Sequence, residues 1–142
     1  MDRSVRHHWG NAVNVSDGSL APLILLVDDT TDLLSVWALL LEESGFRVLT
    51  ASSGFAGLAR ARESLPDLVI TDYMMPGMDG LAMCRSLRLD DRFKSIPFIM
   101  WTAALTAPCA PEVDEIMYKP VTVETLTRRI ATLLAGRIQP SV

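Results

Sequence analysis

At 142 residues the chain has the length of one domain with a single core. Its 49% apolar and 21% charged residues are those of a folded sequence, and its longest apolar runs, Leu23 to Val27 and Trp37 to Leu41, are far too short to cross a bilayer. The formal charge of −4 comes from the middle of the chain, where 15 acidic residues meet 10 basic ones between Ala21 and Gly136; no stretch gathers Lys and Arg with aromatics, which argues against a nucleic-acid surface.

Residues 1–22 have no apolar periodicity, include the polar run Asn14 to Ser19 and lack the continuous apolar stretch of a signal peptide. They read as a flexible N-terminal arm. His7-His8-Trp9 within it is a metal or docking candidate on residue type alone, and adjacent histidines in a polar tail are usually incidental.

From Leu23 to Gly136 short apolar runs of strand length alternate with segments of helical period, the pattern of repeated β-α units around a parallel sheet. The pattern predicts strands at Leu23–Val27, Phe46–Ala51, Asp67–Thr71, Ile96–Trp101 and Val113–Met117. Their nearly unbroken apolar character fits strands covered on both faces. Leu33, Leu34, Trp37, Leu40 and Leu41 share one face of a first helix that stops at Gly45. A second helix runs from Gly54 to Ser64 and ends before Pro66, and a third from Leu81 to about Leu89. The last carries the stripe Val123, Leu126, Ile130, Leu133 and Leu134 and closes near Gly136, leaving 137–142 as a tail. The predicted fold is α/β: a flavodoxin-like, doubly wound, five-stranded parallel sheet in one domain, 23–136. Cys84 and Cys109 stand 25 residues apart without ligand spacing. They are expected to be buried small hydrophobes in a reducing, cytoplasmic protein.

In such a sheet the functional crevice lies at the carboxyl ends of the strands. The first strand runs into Asp28-Asp29, the third into Asp72, the fourth into Thr102 and the fifth into Tyr118-Lys119-Pro120. One acid at a strand end commonly just caps a helix, and a lone Lys is commonly solvated. Three carboxylates converging there repel one another unless a cation intervenes. Magnesium suits the set, because it accepts a few carboxylates and leaves room for phosphate oxygens. The matching chemistry is phosphoryl transfer to a carboxylate. Asp28 and Asp29 would hold the metal, and Asp72 would touch it and attack phosphorus. Lys119 would neutralise one phosphoryl oxygen while Thr102 donates a hydrogen bond to another.

The run Pro66 to Gly80 (PDLVITDYMMPGMDG) resembles the phosphoacceptor strand and loop of bacterial response-regulator receiver domains, as do Leu25-Leu26-Val27-Asp28-Asp29 and Tyr118-Lys119-Pro120. The intervals Asp29 to Asp72, 43 residues, and Asp72 to Thr102, 30 residues, are close to those of the family. The resemblance covers about Leu23 to Ala135. It implies a signalling switch rather than an enzyme, with Mg2+ as cofactor and a histidine kinase or histidine phosphotransfer protein as phosphodonor. It also implies slow self-dephosphorylation and a downstream protein target, and it allows a homodimer. By the same resemblance the main-chain carbonyl of Met74 is a further metal ligand, and Lys119-Pro120 is a cis-peptide candidate.

Two departures stand out. Ile116 occupies a position that is often aromatic in the family. Thr102 and Lys119 are only 17 residues apart, with Pro108 and Pro111 between them, so the fourth helix is expected to be short or replaced by a loop. Signalling would then work by ordering residues 103–112. The DxDxT pattern of aspartate-nucleophile phosphatases is missing. The remaining alternative is a phosphorylation-independent interaction module, although such degenerate forms typically lose an acid or the Lys. No output domain is expected after Gly136, which suits a stand-alone regulator or a piece of a hybrid kinase.

Overall fold

The computed structural model describes residues 20–104 and 106–137. Five strands form one all-parallel sheet in the order β2-β1-β3-β4-β5: β1 Leu23–Val27, β2 Arg47–Ala51, β3 Leu68–Asp72, β4 Phe98–Thr102 and β5 Glu115–Tyr118. Four helices accompany it, α1 Thr31–Glu43, α2 Gly54–Ser64, α3 Gly80–Arg88 and α4 Val123–Arg137, with one 3-10 turn at Asp91–Phe93. This is the predicted doubly wound sheet. The chain moves outward from β1 to β2, then crosses to β3 on the other side, so the switch point falls between β1 and β3.

Side-chain alternation sends each strand into two apolar layers. Ile24, Leu26, Leu68, Ile70, Ile99, Trp101 and Met117 pack with Leu34 and Leu41 of α1 and Leu126 and Ile130 of α4. Leu25, Val27, Val69 and Phe98 pack with Ala61 of α2 and Met83, Cys84 and Leu87 of α3. Each fully buried leucine contributes about 1.5–3 kcal/mol.

Local signals act where the sequence places them. α1 ends at Ser44, and Gly45 adopts φ +104°, the left-handed geometry that a following glycine supplies. Ser53 Oγ accepts the Ala56 N–H at 3.0 Å to cap α2. α2 stops at Leu65, at φ +50°, immediately before Pro66.

The last four strands begin one or two residues later than their apolar runs, β2 at Arg47 rather than Phe46. Pro97 has no N–H for the ladder, so β4 starts at Phe98. Asp67 turns its side chain to the Leu23 N–H, 2.8 Å, and β3 starts at Leu68. Asp114 likewise accepts the Phe98 N–H, 2.7 Å, and β5 starts at Glu115. Asp72 and Thr102 are therefore the final residues of their strands.

No helix forms among the described residues between β4 and β5. Arg88, at the end of α3, anchors the far end of this connection. Its guanidinium donates to the carbonyls of Phe93, Ile96 (2.8 Å) and Glu112 (3.2 Å), pairs with Asp114 at 3.0 Å and lies 3.7 Å over the Phe98 ring. The two cysteines part company here. Cys84 is buried and its thiol is pushed up to about 12 by that burial, whereas Cys109 is exposed. The expectation of a buried Cys109 is corrected: it is exposed, between Pro108 and Pro111 in a connection where no helix forms among the described residues. Residues 1–19, including His7, His8 and Trp9, and 138–142 of the tail lie outside the described residues. Ala21 and Pro22, assigned to the arm, accept hydrogen bonds from Arg47 through their carbonyls.

Candidate functional site

The carboxyl ends of β1, β3 and β5 bring the predicted charged residues together. Asp28, Asp29 and Asp72 each offer a carboxylate oxygen within 4.8 Å of the other two. Asp28 is fully buried, Asp72 is 9% exposed and Asp29 faces solvent. Lys119 enters from the end of β5, with Nζ 2.9 Å from Asp28 Oδ2 and 3.8 Å from Asp72 Oδ2. Asp28, Asp72 and Lys119 continue the side-chain phase of Leu26, Ile70 and Met117, so strand alternation aims all three to one side. Asp28 Oδ1 also accepts the Thr30 N–H, 2.9 Å, in the turn before α1, but Thr30 is the N-cap and no side chain caps the helix, so Asp28 does not take the capping role weighed against metal binding.

Asp72 Oδ1 accepts the Tyr73 N–H at 2.8 Å, and the Thr71 hydroxyl donates to the Asp72 carbonyl at 2.9 Å. Burial raises the Asp72 carboxyl above its ordinary 3.8, Lys119 opposes the rise, Asp28 adds to it, the Tyr73 N–H opposes it and Asp29 adds again. A carboxylate so placed holds its charge less comfortably than one in water. Three carboxylates share one ammonium, an excess of negative charge that suits a hard divalent cation approaching past exposed Asp29.

Thr102 ends β4 beside this group, in register with Tyr118 and 1% exposed. Its hydroxyl accepts the Ala104 N–H at 3.1 Å, which leaves its own proton for another acceptor. Met74 lies in the loop after β3 and is 62% exposed. The Lys119-Pro120 bond is cis.

Three contributors were not singled out from sequence. Gly80, the first residue of α3, packs so tightly that a Cβ there would collide with the Asp72 carbonyl oxygen. Its N–H donates to Tyr73 at 2.8 Å. The closing glycine of the loop after Asp72 was the available signal. Trp101 underlies Lys119, at 5.1 Å from its ring centroid to Nζ; a tryptophan in an aliphatic strand was the hint. The Arg88 clamp had no signal, since an arginine ending a helix ordinarily reads as solvated.

Residues 24–131 match the response regulator receiver domain. The chain belongs to that family. It is a receiver domain of the kind found in two-component response regulators. Over 118 residues it is 36% identical to the transcriptional regulatory protein AfsQ1 of Streptomyces coelicolor, covering 80% of this chain and 51% of that one. It is 35% identical over 123 residues to protein PilH of Pseudomonas aeruginosa, covering 80% and 98%. The receiver thus spans about half of AfsQ1 and nearly all of PilH. Among solved structures, the chemotaxis response regulator CheY4 of Vibrio cholerae superposes with a TM-score of 0.73 at 27% identity, over 81% of this chain and 99% of that one. No helix among the described residues is long and apolar enough to cross a membrane.

Proposed function

We propose that this receiver is a phosphoacceptor switch of a two-component phosphorelay, residing in the cytoplasm and phosphorylated on Asp72. The carrying observation is the cluster of three carboxylates closed by Lys119. A carboxylate oxygen of Asp72 attacks the phosphorus of a phosphohistidine on a kinase or histidine phosphotransfer protein. The O–P bond forms as the N–P bond breaks, and the imidazole leaves with the electron pair. Lys119 turns to one phosphoryl oxygen and the Thr102 hydroxyl donates to another. Mg2+, held by Asp28, Asp29, Asp72 and the main-chain carbonyl of Met74, would supply charge neutralisation for the incoming phosphoryl group. Output follows from ordering the connection 103–112, which Arg88 anchors at its far end.

Intact mass after incubation with acetyl phosphate and magnesium tests the reading. Wild type is expected to gain one phosphoryl group, while Asp72→Asn and an EDTA-treated sample gain none. A gain retained in Asp72→Asn removes the assignment, and no gain in wild type leaves the phosphorylation-independent interaction module.

A melt isolates the metal site. Without magnesium, Asp29→Asn relieves repulsion within the acid cluster and is expected to melt a few degrees above wild type, since each 1 kcal/mol is worth about 4 °C in a domain of this size. Magnesium should then raise wild type more than the variant. Equal magnesium shifts would exclude Asp29 as a ligand.

A further inference from the structure

Lys119 is surrounded by groups of different kinds. Asp28 Oδ2 is 2.9 Å from its Nζ, Asp72 Oδ2 is 3.8 Å away, and the Trp101 ring centroid lies at 5.1 Å. Another side is open, because Lys119 helps line an apolar pocket of about 370 Å³ with Leu33, Trp37, Trp101, Pro120 and Val121. Close packing therefore does not hold the lysine stem on that side. Trp101 precedes Thr102 on β4 and is 1% exposed, and the Trp37 ring meets it edge-on, centroids 5.2 Å apart and planes at 71°. Its indole N–H is buried without an acceptor. An orphaned donor costs free energy, and a phenylalanine ring would fill β4 without one. What tryptophan offers over phenylalanine here is the stronger attraction of its face for a cation.

We propose that Trp101 is a positioning residue for Lys119. Its indole face seats the ammonium beside Asp28 and Asp72 without occupying an N–H, so Lys119 stays at the site yet can turn to a phosphoryl oxygen on Asp72. Trp37 fixes the orientation of that ring. The inference rests on the role proposed for Lys119.

The test measures the rate of acetyl phosphate uptake, with urea unfolding alongside, in wild type, Trp101→Phe, Trp101→Leu and Lys119→Met. Trp101→Phe is expected to match wild type in stability, because relief of the orphaned N–H offsets the smaller ring. Its uptake should nonetheless be slower by about three- to tenfold, and Trp101→Leu should be slower again. Replacing tryptophan with fluorinated tryptophan weakens the ring face at nearly constant shape. It should slow wild type with each added fluorine and leave Trp101→Phe unaffected, although Trp9 and Trp37 carry the label in both. Rates that track stability across the series, or a fluorine effect that persists in Trp101→Phe, would overturn the role of Trp101. A slow Lys119→Met with a flat Trp101 series overturns this inference alone. A Lys119→Met as fast as wild type overturns the reading of the site and this inference together.

Discussion

Gly80→Ala is expected to lower the melting temperature by about 8 °C and to abolish phosphoryl uptake, although alanine is the better helix former by about 1 kcal/mol. The added methyl would fall far inside van der Waals contact with the Asp72 carbonyl oxygen and 3.1 Å from Thr71 Oγ1. The first neighbour is backbone in a strand buried on both faces, so it cannot swing aside as a side chain would. Relief requires α3 to retreat or the end of β3 to shift. Either movement breaks the Gly80 N–H bond to Tyr73 and drags the Asp72 carboxylate from its neighbours. Overpacking of this kind costs on the order of 3 kcal/mol, more than the helix gain. A thermal melt with a parallel acetyl phosphate assay measures both effects. An alanine variant that is more stable and still phosphorylated would show that α3 and Asp72 do not approach so closely.

Arg88→Ala is expected to destabilise the fold by about 3 kcal/mol, because hydrogen bonds to a charged donor are worth roughly 1.5–3 kcal/mol each and do not add fully. The carbonyls of Phe93 and Ile96 lose a partner, and the face of Phe98 loses its cover. The pair with Asp114 adds little to that sum, since the Asp114 side chain is 41% exposed and screened by water. Asp114 also keeps the Phe98 N–H. Arg88→Lys should recover only a minor part, because an ammonium has neither the fork that reaches several acceptors nor a flat face for the ring. Urea unfolding gives the magnitude. Hydrogen exchange gives the place: the amides of Val113 and Asp114, bonded to Ala110 and Phe98, should exchange faster in the variant. Full rescue by lysine would reduce the clamp to a simple charge effect.

The parts of this structure that were legible in sequence are those set by local pattern. Apolar runs located all five strands, and Gly45 and Pro66 located two helix ends. Pro108 and Pro111 foretold that no helix forms among the described residues between β4 and β5. The acids of the site were legible because strand ends are where a parallel sheet exposes its crevice, and Lys119 followed by the same rule. Strand starts were misread because an apolar run reports burial, whereas a strand begins where ladder hydrogen bonds begin. Pro97 withholds a donor, while Asp67 and Asp114 hold Leu23 and Phe98 through both backbone N–H and side chain just ahead of the regular ladder. The Arg88 clamp also reaches Glu112 and Asp114, partners 24 and 26 residues away, and no period in the sequence encodes that distance. Gly80 and Trp101 were visible as residues, but their roles come from what other elements bring against them. Cys109 was misplaced because two thiols of one composition were assumed to share one environment.

The Asp28–Lys119 ion pair closes across 91 residues. Loop-closure entropy makes such a contact costly to close before the rest of the sheet is in place. An intermediate with β1 to β4 in place would gather the carboxylates of Asp28, Asp29 and Asp72 before any ammonium arrived. Their mutual repulsion would resist that state until β5 and α4 dock. The same final unit supplies Lys119 and, through Leu126 and Ile130, the apolar cover for one face of the sheet. On the ribosome, a nascent chain would therefore acquire its charge balance and its hydrophobic closure in a single step, and a partly folded chain would make a poor phosphoryl acceptor.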